Sequence, residues 1–268
     1  MVQELTFGYS PCPNDTFMFN ALAGGEVSAE GFSIQPVLHD VETLNDLAMQ
    51  AALDLSKLSF YAMLAVKQHY RLLGSGAAMG FGCGPVLIGK KPLEKRDIRH
   101  CRVVLPGRWT TAHLLLRLWA PDAGLRIFTT YDRIFDVLAS GQADCGVIIH
   151  ESRFTYQAYG FAPVVDLGAW WESRTGLPIP LGGIAARKSL GDAAIERIDA
   201  VLNQSIRRAM ADPAATMPYI RRHAREMDEA VLNAHIHTFV NEFSLAMTDP
   251  GRQAIDTLER MARAAGAL

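Results

Sequence analysis

Short apolar runs rich in β-branched residues alternate along this chain with segments of helical periodicity. The clearest run covers residues 145–149 and is bounded by polar residues on both sides. A short, continuously apolar run of this kind predicts a strand that is buried on both faces of a sheet. Because such strands alternate with helices, the sequence predicts an α/β fold with a mostly parallel sheet.

Turn and cap residues set the bounds of the predicted elements. The predicted strands cover residues 5–9, 32–38, 53–58, 86–89, 102–105, 125–129, 145–149 and 184–186. The predicted helices cover residues 16–23, 41–51, 60–67, 112–119, 132–139, a short stretch after His150, and then 193–210, 217–224, 228–240 and 250–264. Asp40 is expected to cap the helix that follows it, and Asn14 or Asp15 the helix 16–23. The prolines at 178 and 180 indicate a stiff return before the strand 184–186.

The domain organisation is predicted from two interruptions of this pattern, one at Lys90-Lys91-Pro92 and one at residues 178–180. We expect a first lobe to begin with residues 1–90, a second lobe to be inserted as residues 91–182, and residues 183–268 to return to the first lobe with a helical tail. The tail helix is expected to pack on that lobe or to mediate a dimer, so the chain is a monomer or a homodimer.

Composition excludes several classes of function. Formal net charge is −2, with 26 basic and 28 acidic residues, so no electrostatic footprint for nucleic acid is present. The four cysteines form no C-x-x-C pair, which argues against a zinc site or a disulfide framework. The first residues show no signal peptide, and no apolar run is long enough to span a membrane. A cytoplasmic protein with a small-molecule partner is the expectation.

His150 is the strongest candidate for chemistry. It follows the strand 145–149, and open α/β sheets bind ligands at the carboxyl ends of their strands. Its imidazole is also the side chain most easily poised for proton transfer near neutral pH. The alternative interpretation is a polar residue that merely terminates a strand.

Four strand-to-helix turns, including the one at His150, carry polar residues. They cover residues 10–16, 57–59, 109–112 and 150–152, and most of them place hydroxyl groups where a helix begins. Helix N-termini favour anions. The turns therefore predict a small, polar, hydroxyl-bearing ligand that carries a carboxylate or a phosphate.

Six blocks of sequence together resemble one known family, the 1,4-dihydroxy-6-naphthoate synthases of the futalosine-type menaquinone pathway. The resemblance spans roughly residues 5–190. The blocks are SPCPNDTF (10–17), DVETLN (40–45), KLS (57–59), PGR-x-TTA (106–112), IIHESRFTY (148–156) and DLG-x-WWE (166–172).

This resemblance implies both a fold and a reaction. The fold is the two-lobed, type 2 periplasmic-binding-protein-like fold with a ligand cleft between its lobes. The reaction converts cyclic dehypoxanthine futalosine to 1,4-dihydroxy-6-naphthoate and releases dihydroxyacetone, which makes the family a carbon–carbon lyase without a metal or organic cofactor. By resemblance His150 is the proton acceptor. The positions expected to contact substrate are Lys57, Leu58, Ser59, Thr111 and Ala112.

Several side chains in these blocks have a second interpretation. Cys12 is either a nucleophile or a small buried thiol, and Glu151 either assists His150 or caps its own helix. The Lys57 ammonium either pairs with an anionic group or faces solvent. His235 and His237 are two apart in a helix, so they do not share a face and a metal site is not expected there.

Three other functions remain open on the sequence. A passive solute-binding protein of the same fold would bind a ligand without converting it. Chorismate dehydratase, an enzyme of the same pathway, is also built on this fold, although the block around His150 favours the synthase. A ligand-sensing regulatory domain is the third, but no DNA-binding segment accompanies it.

Overall fold

A computed structural model describes residues 2–224 and 228–268 of the chain. By compactness the chain divides into two units. Unit 1 comprises Met1–Met79 and Gly182–Asp249, and unit 2 comprises Gly80–Leu181 and Pro250–Leu268.

Strands and helices alternate in both units, as predicted. The strands are β1 (Gln3–Tyr9), β2 (Phe32–Leu38), β3 (Leu55–Ser59), β4 (Tyr70–Leu72), β5 (Ala78–Gly80), β6 (Val86–Gly89), β7 (Val103–Leu105), β8 (Arg126–Phe128), β9 (Cys145–Ile148), β10 (Ala162–Asp166) and β11 (Ile179–Arg187). The α-helices are α1 (Pro13–Ala23), α2 (Val41–Met49), α3 (Phe60–Val66), α4 (Thr111–Trp119), α5 (Ile134–Ala139), α6 (Ser152–Thr155), α7 (Leu167–Thr175), α8 (Asp192–Ala211), α9 (Pro213–His223), α10 (Glu229–Phe239), α11 (Glu242–Leu245) and α12 (Asp249–Ala264). Short 3-10 helices cover Lys95–His100, Tyr131–Arg133 and Lys188–Leu190.

The sheet of unit 1 runs in the order β2-β1-β3-β11-β4, and β5 also pairs with β11. β1 is parallel to β2 and β3, whereas β11 is antiparallel to β3 and β4. The predicted parallel strands are therefore present, but the sheet is mixed and not mostly parallel as expected. Strand direction depends on how the chain returns, which an apolar run does not encode.

Unit 2 repeats the same plan. Its sheet runs β10-β6-β9-β7-β8, with β7 parallel to β8 and β9, and β6 antiparallel to β9 and β10. In both units three parallel strands are thus followed by an antiparallel pair. The parallel neighbours β1 and β3 end at one edge of the first sheet, and β7 and β9 end at one edge of the second. The turns singled out in the sequence follow these strand ends.

Helices cover these sheets through apolar side chains. In unit 1, Phe7 and Tyr9 of β1 meet Phe19 of α1, with ring centroids 4.9 and 5.3 Å from that of Phe19. In unit 2, Val104 and Ile148 belong to one buried apolar cluster with Ile134 of α5. This burial fixes the strand ends, and with them the turns that carry the candidate residues.

The division into units differs from the predicted domain bounds in two places. The first boundary was placed at residue 90, after β6, but β6 pairs with β9 and β10 and therefore groups with unit 2. Residues 250–268, which were expected to return to the first lobe, also group with unit 2. The sequence shows the breaks in the pattern but not which sheet a strand joins.

Two local predictions were wrong. Helix α1 begins at Pro13 with Cys12 at the N-cap position, so neither Asn14 nor Asp15 caps it. Proline at the first helical position is favourable because its missing N–H would be unsatisfied there in any case. The prolines at 178 and 180 predict a return before a strand at 184, but β11 already begins at Ile179. Its pairing with β3 starts at Gly182, after Pro180. Asp40 caps α2 as predicted.

Across the residues that the structure describes, every helix is too short or too polar to cross a membrane.

Candidate functional site

His150 follows the end of β9 and has a left-handed backbone conformation, with φ of 56°. A non-glycine residue pays about 1 kcal/mol or more for this region, and such residues cluster at functional sites. The imidazole is half-buried, and the one-turn helix α6 begins two residues later. The helix predicted after His150 is therefore present but short. The Glu151 side chain makes no capping hydrogen bond to it.

Tyr131 restrains the His150 side chain. The two ring centroids lie 4.8 Å apart and the ring planes meet at 65°, which is an edge-to-face contact. Tyr131 begins a 3-10 helix and is almost fully buried. No local pattern singles out Tyr131, because the contact joins residues from different elements.

Arg153 anchors the turn that carries His150. Its guanidinium donates to the carbonyl of Gly84 at 2.5 Å and pairs with the Asp166 carboxylate at 2.8 Å. The other oxygen of Asp166 accepts from the backbone N–H groups of Gly168 and Ala169, at 2.9 and 3.0 Å, where α7 begins. Three segments of unit 2 are thus joined through one arginine, and the segment after His150 is held in place.

The turn before α4 presents the second group of candidates in unit 2. Thr110 caps the helix by accepting from the His113 N–H at 3.3 Å. The Thr111 hydroxyl donates to the carbonyl of Leu181 at 2.8 Å. Thr111 and Ala112 are the first two residues of α4 and are both buried. Because β7 and β9 are parallel neighbours, this turn and the His150 turn follow the same edge of their sheet.

His113 is neutral at physiological pH. Burial lowers its pKa to about 4, although a hydrogen bond to the carbonyl of Arg108 partly opposes the shift. That carbonyl can only accept, so Nδ1 carries the hydrogen of the 2.7 Å bond between them. A neutral imidazole suits this position, because a cation in the first turn of a helix is unfavourable.

In unit 1, Lys57 forms a buried ion pair with Asp15. The Nζ atom lies 3.0 Å from Asp15 Oδ1, and the two side chains are only 7% and 1% exposed. Nζ also donates to the carbonyl of Gly76 at 3.4 Å. The alternative of a solvent-facing Lys57 is therefore wrong, and the glycine-rich loop around Gly76 contributes a carbonyl group to this ammonium.

Asp15 is held by further donors. Its Oδ2 accepts from the Ser10 hydroxyl at 2.7 Å and from the Ser10 N–H at 3.2 Å, and its Oδ1 accepts from the Asn14 side-chain amide at 2.9 Å. Asn14 Oδ1 in turn lies 2.9 Å from Nε2 of His235, which is fully buried. The turn 10–16 therefore contributes a polar network rather than a helix cap. Cys12, in the same turn, is a buried thiol.

Ser59 and Leu58 complete the predicted group in unit 1. The Ser59 N–H donates to Asn45 Oδ1 at 3.0 Å, and the Asn45 amide donates to the Ser59 hydroxyl oxygen at 3.2 Å. Leu58 is fully buried and lies opposite Gly183 in the β3–β11 ladder. Asn45 and Asp15 are the partners that the sequence did not identify; both occur in the sequence blocks quoted above.

The predicted site residues thus form one group in each unit. Unit 1 places Lys57, Leu58 and Ser59 at the end of β3. Unit 2 places His150 after β9, and Thr111 and Ala112 at the beginning of α4.

Comparison with known proteins identifies relatives over almost the whole chain. A family described as menaquinone biosynthesis matches residues 5–264. A protein of Thermus thermophilus named 1,4-dihydroxy-6-naphthoate synthase is 46% identical, covering 99% of this chain and 96% of its own. A protein of the same name from Streptomyces coelicolor is 41% identical, covering 98% and 94%.

Solved structures agree on the fold. A crystal structure of a protein from Archaeoglobus fulgidus has a TM-score of 0.93 at 31% identity, covering 99% of this chain and 98% of the other. The alkanesulfonate-binding protein SsuA from Xanthomonas axonopodis pv. citri, bound to MOPS, has a TM-score of 0.73 at 15% identity, covering 99% and 94%. The latter identity is low and supports the fold alone, which is the periplasmic-binding-protein-like type 2 fold.

Proposed function

This chain belongs to the menaquinone biosynthesis family, and on that premise we propose that it is a 1,4-dihydroxy-6-naphthoate synthase. The observation that carries the proposal is the identity of 46% and 41% to two synthases over nearly the full length of each chain. The proposed reaction is carbon–carbon cleavage of cyclic dehypoxanthine futalosine, with dihydroxyacetone as the second product. The reaction is biosynthetic, so the cytoplasm is its expected compartment.

His150 is the proposed general base. Three observations support a side chain that is positioned for catalysis. His150 follows a buried parallel strand, its backbone is strained, and its ring contacts Tyr131. A correctly placed base contributes about 10²–10⁴-fold to the rate of a proton transfer.

The proposed steps balance without water or a redox partner. His150 takes a proton from the sugar-derived part of the substrate. That proton comes from a hydroxyl group, so the electrons of the O–H bond form a carbonyl group in the leaving three-carbon fragment, the C–C bond breaks, and its electron pair moves into the ring system. The proton is then returned to the ring product. Aromatisation of the new ring supplies the driving force.

The proposed substrate-binding residues differ in whether they donate or accept hydrogen bonds. Thr111 already gives its hydroxyl hydrogen to Leu181, so it accepts hydrogen bonds from substrate hydroxyls. Ser59 already accepts from Asn45, so its own hydroxyl hydrogen is directed to a substrate oxygen. Leu58 has a buried side chain and offers its backbone, and Ala112 offers its N–H in the first turn of α4.

The test is turnover of cyclic dehypoxanthine futalosine by the wild type and by His150→Ala, followed by absorbance and mass. The wild type is expected to form dihydroxynaphthoate, and His150→Ala to be slower by about 10²–10⁴-fold. His237→Ala, which removes an exposed histidine, is the matched control and is expected to retain full activity.

Each other outcome has a defined meaning. Binding of the compound by the wild type without product would support the solute-binding alternative. Dehydration of chorismate by the wild type, with no cleavage of cyclic dehypoxanthine futalosine, would identify the protein as a chorismate dehydratase. Equal product from the wild type and His150→Ala would retain the synthase but remove His150 from its role.

A further inference from the structure

We propose that Asp15 is a positioning residue that prepares the Lys57 ammonium to bind a neutral substrate oxygen, a carbonyl or hydroxyl group, rather than the substrate carboxylate. This inference rests on the proposed function, because it assigns a partner to a residue expected to contact substrate. The sequence left two alternatives for the Lys57 ammonium, pairing with an anionic group or facing solvent, and a neutral substrate oxygen as its partner differs from both.

Charge balance is the first argument. Lys57 and Asp15 are both almost fully buried, and 3.0 Å separates Nζ from Oδ1, so the cation already has its counter-ion. A substrate carboxylate at Nζ would gather two anions around one cation in a medium that solvates charge poorly. A neutral oxygen adds no net charge and incurs no such penalty.

The donor geometry is the second argument. An ammonium group has three N–H bonds. Among the described residues, its acceptors are Asp15 Oδ1 at 3.0 Å and the Gly76 carbonyl at 3.4 Å. Gly76 is itself fixed, since its N–H donates to the Ser244 carbonyl at 2.8 Å and its φ is 84°. The third N–H is therefore the one assigned to substrate.

The hydrogen-bond chain behind Asp15 is the third argument. A carboxylate only accepts, so the Asn14 atom that faces Asp15 is the amide nitrogen, and Asn14 Oδ1 faces His235. Oδ1 also only accepts, so Nε2 of His235 carries a hydrogen and donates it. His235 thus fixes Asn14, Asn14 fixes Asp15, and Asp15 fixes the ammonium of Lys57.

This arrangement has a chemical consequence. When a carbon–carbon bond breaks, its electron pair moves onto an oxygen of the product ring system. An ammonium that hydrogen-bonds this oxygen before the reaction interacts more strongly with it as negative charge develops. Stabilisation of this kind lowers the barrier rather than the ground state.

The first experiment compares two probes that differ in charge, 1,4-dihydroxy-6-naphthoate and its 6-carboxamide, by calorimetric titration of the wild type and Lys57→Met. The ratio of their Kd values is expected to differ by less than about 3-fold between the two proteins, because Lys57 contacts an oxygen that both probes share. A change of this ratio by about 10-fold or more against the carboxylate would place the carboxylate at Lys57 and overturn the proposal.

The second experiment is a double-mutant cycle of turnover with Asp15→Asn, Lys57→Met and the combined variant. Each single change is expected to lower kcat by about 10²-fold with KM changed less than 3-fold, and the combined variant to be no slower than Lys57→Met. If Asp15→Asn slows the Lys57→Met protein as much as it slows the wild type, Asp15 does not act through Lys57. Absence of turnover in the wild type would instead refute the proposed function, while the probe titration still decides this inference.

His235 provides a third test that leaves the ion pair intact. His235→Leu is expected to lower kcat by about 10-fold with KM nearly unchanged, and His235→Gln, which can still donate to Asn14, to recover most of that loss. Equal loss in both variants, or no loss in His235→Leu, would contradict the proposed chain of positioning contacts.

Discussion

The ring of Tyr131 meets the imidazole of His150 edge to face, with 4.8 Å between the ring centroids. This contact limits the rotamers of the proposed base. Tyr131→Ala is expected to lower kcat by about 10-fold, because the imidazole then samples unproductive orientations. Tyr131→Phe keeps the ring and should stay within about 3-fold of the wild type. Steady-state kinetics of both variants tests this, and a slow Tyr131→Phe would assign the effect to the hydroxyl group.

The left-handed backbone of His150 predicts a difference in stability between two variants that lack the imidazole. His150→Gly and His150→Ala both lack the imidazole and its contact with Tyr131, but only glycine adopts a φ of 56° without strain. His150→Gly should therefore be the more stable by about 1 kcal/mol. Urea unfolding of the two variants measures this difference. Equal midpoints would show that the turn relaxes once the histidine is removed.

Gly84 and Gly168 approach each other closely enough to exclude any side chain at either position. A Cβ atom on Gly84 would lie 2.2 Å from the Gly168 Cα. Gly84→Ala is therefore expected to destabilise the protein by about 3 kcal/mol and to disturb the carbonyl that Arg153 binds. Thermal unfolding of the variant checks this expectation.

Gly82→Asn is the matched control for that substitution. Gly82 has φ of 67°, and among the described residues no atom lies within 4 Å of a Cβ built there. Asparagine tolerates this conformation, so a loss below about 1 kcal/mol is expected. A loss as large as that of Gly84→Ala would show that the loop, rather than the glycine contact, is sensitive.

His113 predicts a loss of stability in acid. Burial lowers its pKa in the folded chain to about 4, from an ordinary value of 6.5. As the pH falls below 6.5, His113 is protonated in the unfolded chain but stays neutral in the folded chain. The stability of the folded chain is therefore unaffected by the protonation of His113 above pH 6.5 and declines as the pH falls toward 4. The decline reaches up to about 3 kcal/mol.

A comparison with His113→Asn isolates this effect from the other titrating groups. Asparagine has no proton to gain in this range, and its amide can still donate toward the Arg108 carbonyl. The free energy of unfolding of the variant should therefore vary less between pH 7 and about pH 4.5 than that of the wild type, by about 2 kcal/mol. Parallel curves of unfolding free energy against pH would contradict the assignment.

Local patterns predicted much of the fold. The bounds of β2 and the cap at Asp40 follow from alternation and from a carboxylate placed before a helix, which are properties of neighbouring residues. The antiparallel direction of β11 was not predictable in this way, because it depends on pairing with β3 from a distant part of the chain. The first turn of α1 shows a different failure, since the helix begins at Pro13, a favourable first position for proline, and not at the predicted residue 16.

At the candidate site, too, local patterns do not show which distant residues come into contact. The motifs identified His150, Lys57 and Ser59, but not the groups that hold them. The partners Tyr131, Asp15 and Asn45 come from other elements and meet these residues only after the sheets form. The left-handed backbone of His150 was also unpredictable, since only a small minority of non-glycine residues adopt it, even though histidine is one of the more tolerant types.

The division of the chain has a consequence for synthesis on the ribosome. Neither unit is contiguous: residues 182–249 complete unit 1, and residues 250–268 complete unit 2. The central strand β11 of the first sheet is therefore translated only after most of unit 2 has emerged. Strand β3, which pairs with β11, therefore lacks one of its two neighbours until that late segment has been translated. Nascent chains stalled before residue 182 should accordingly lack a protease-resistant form of the first sheet.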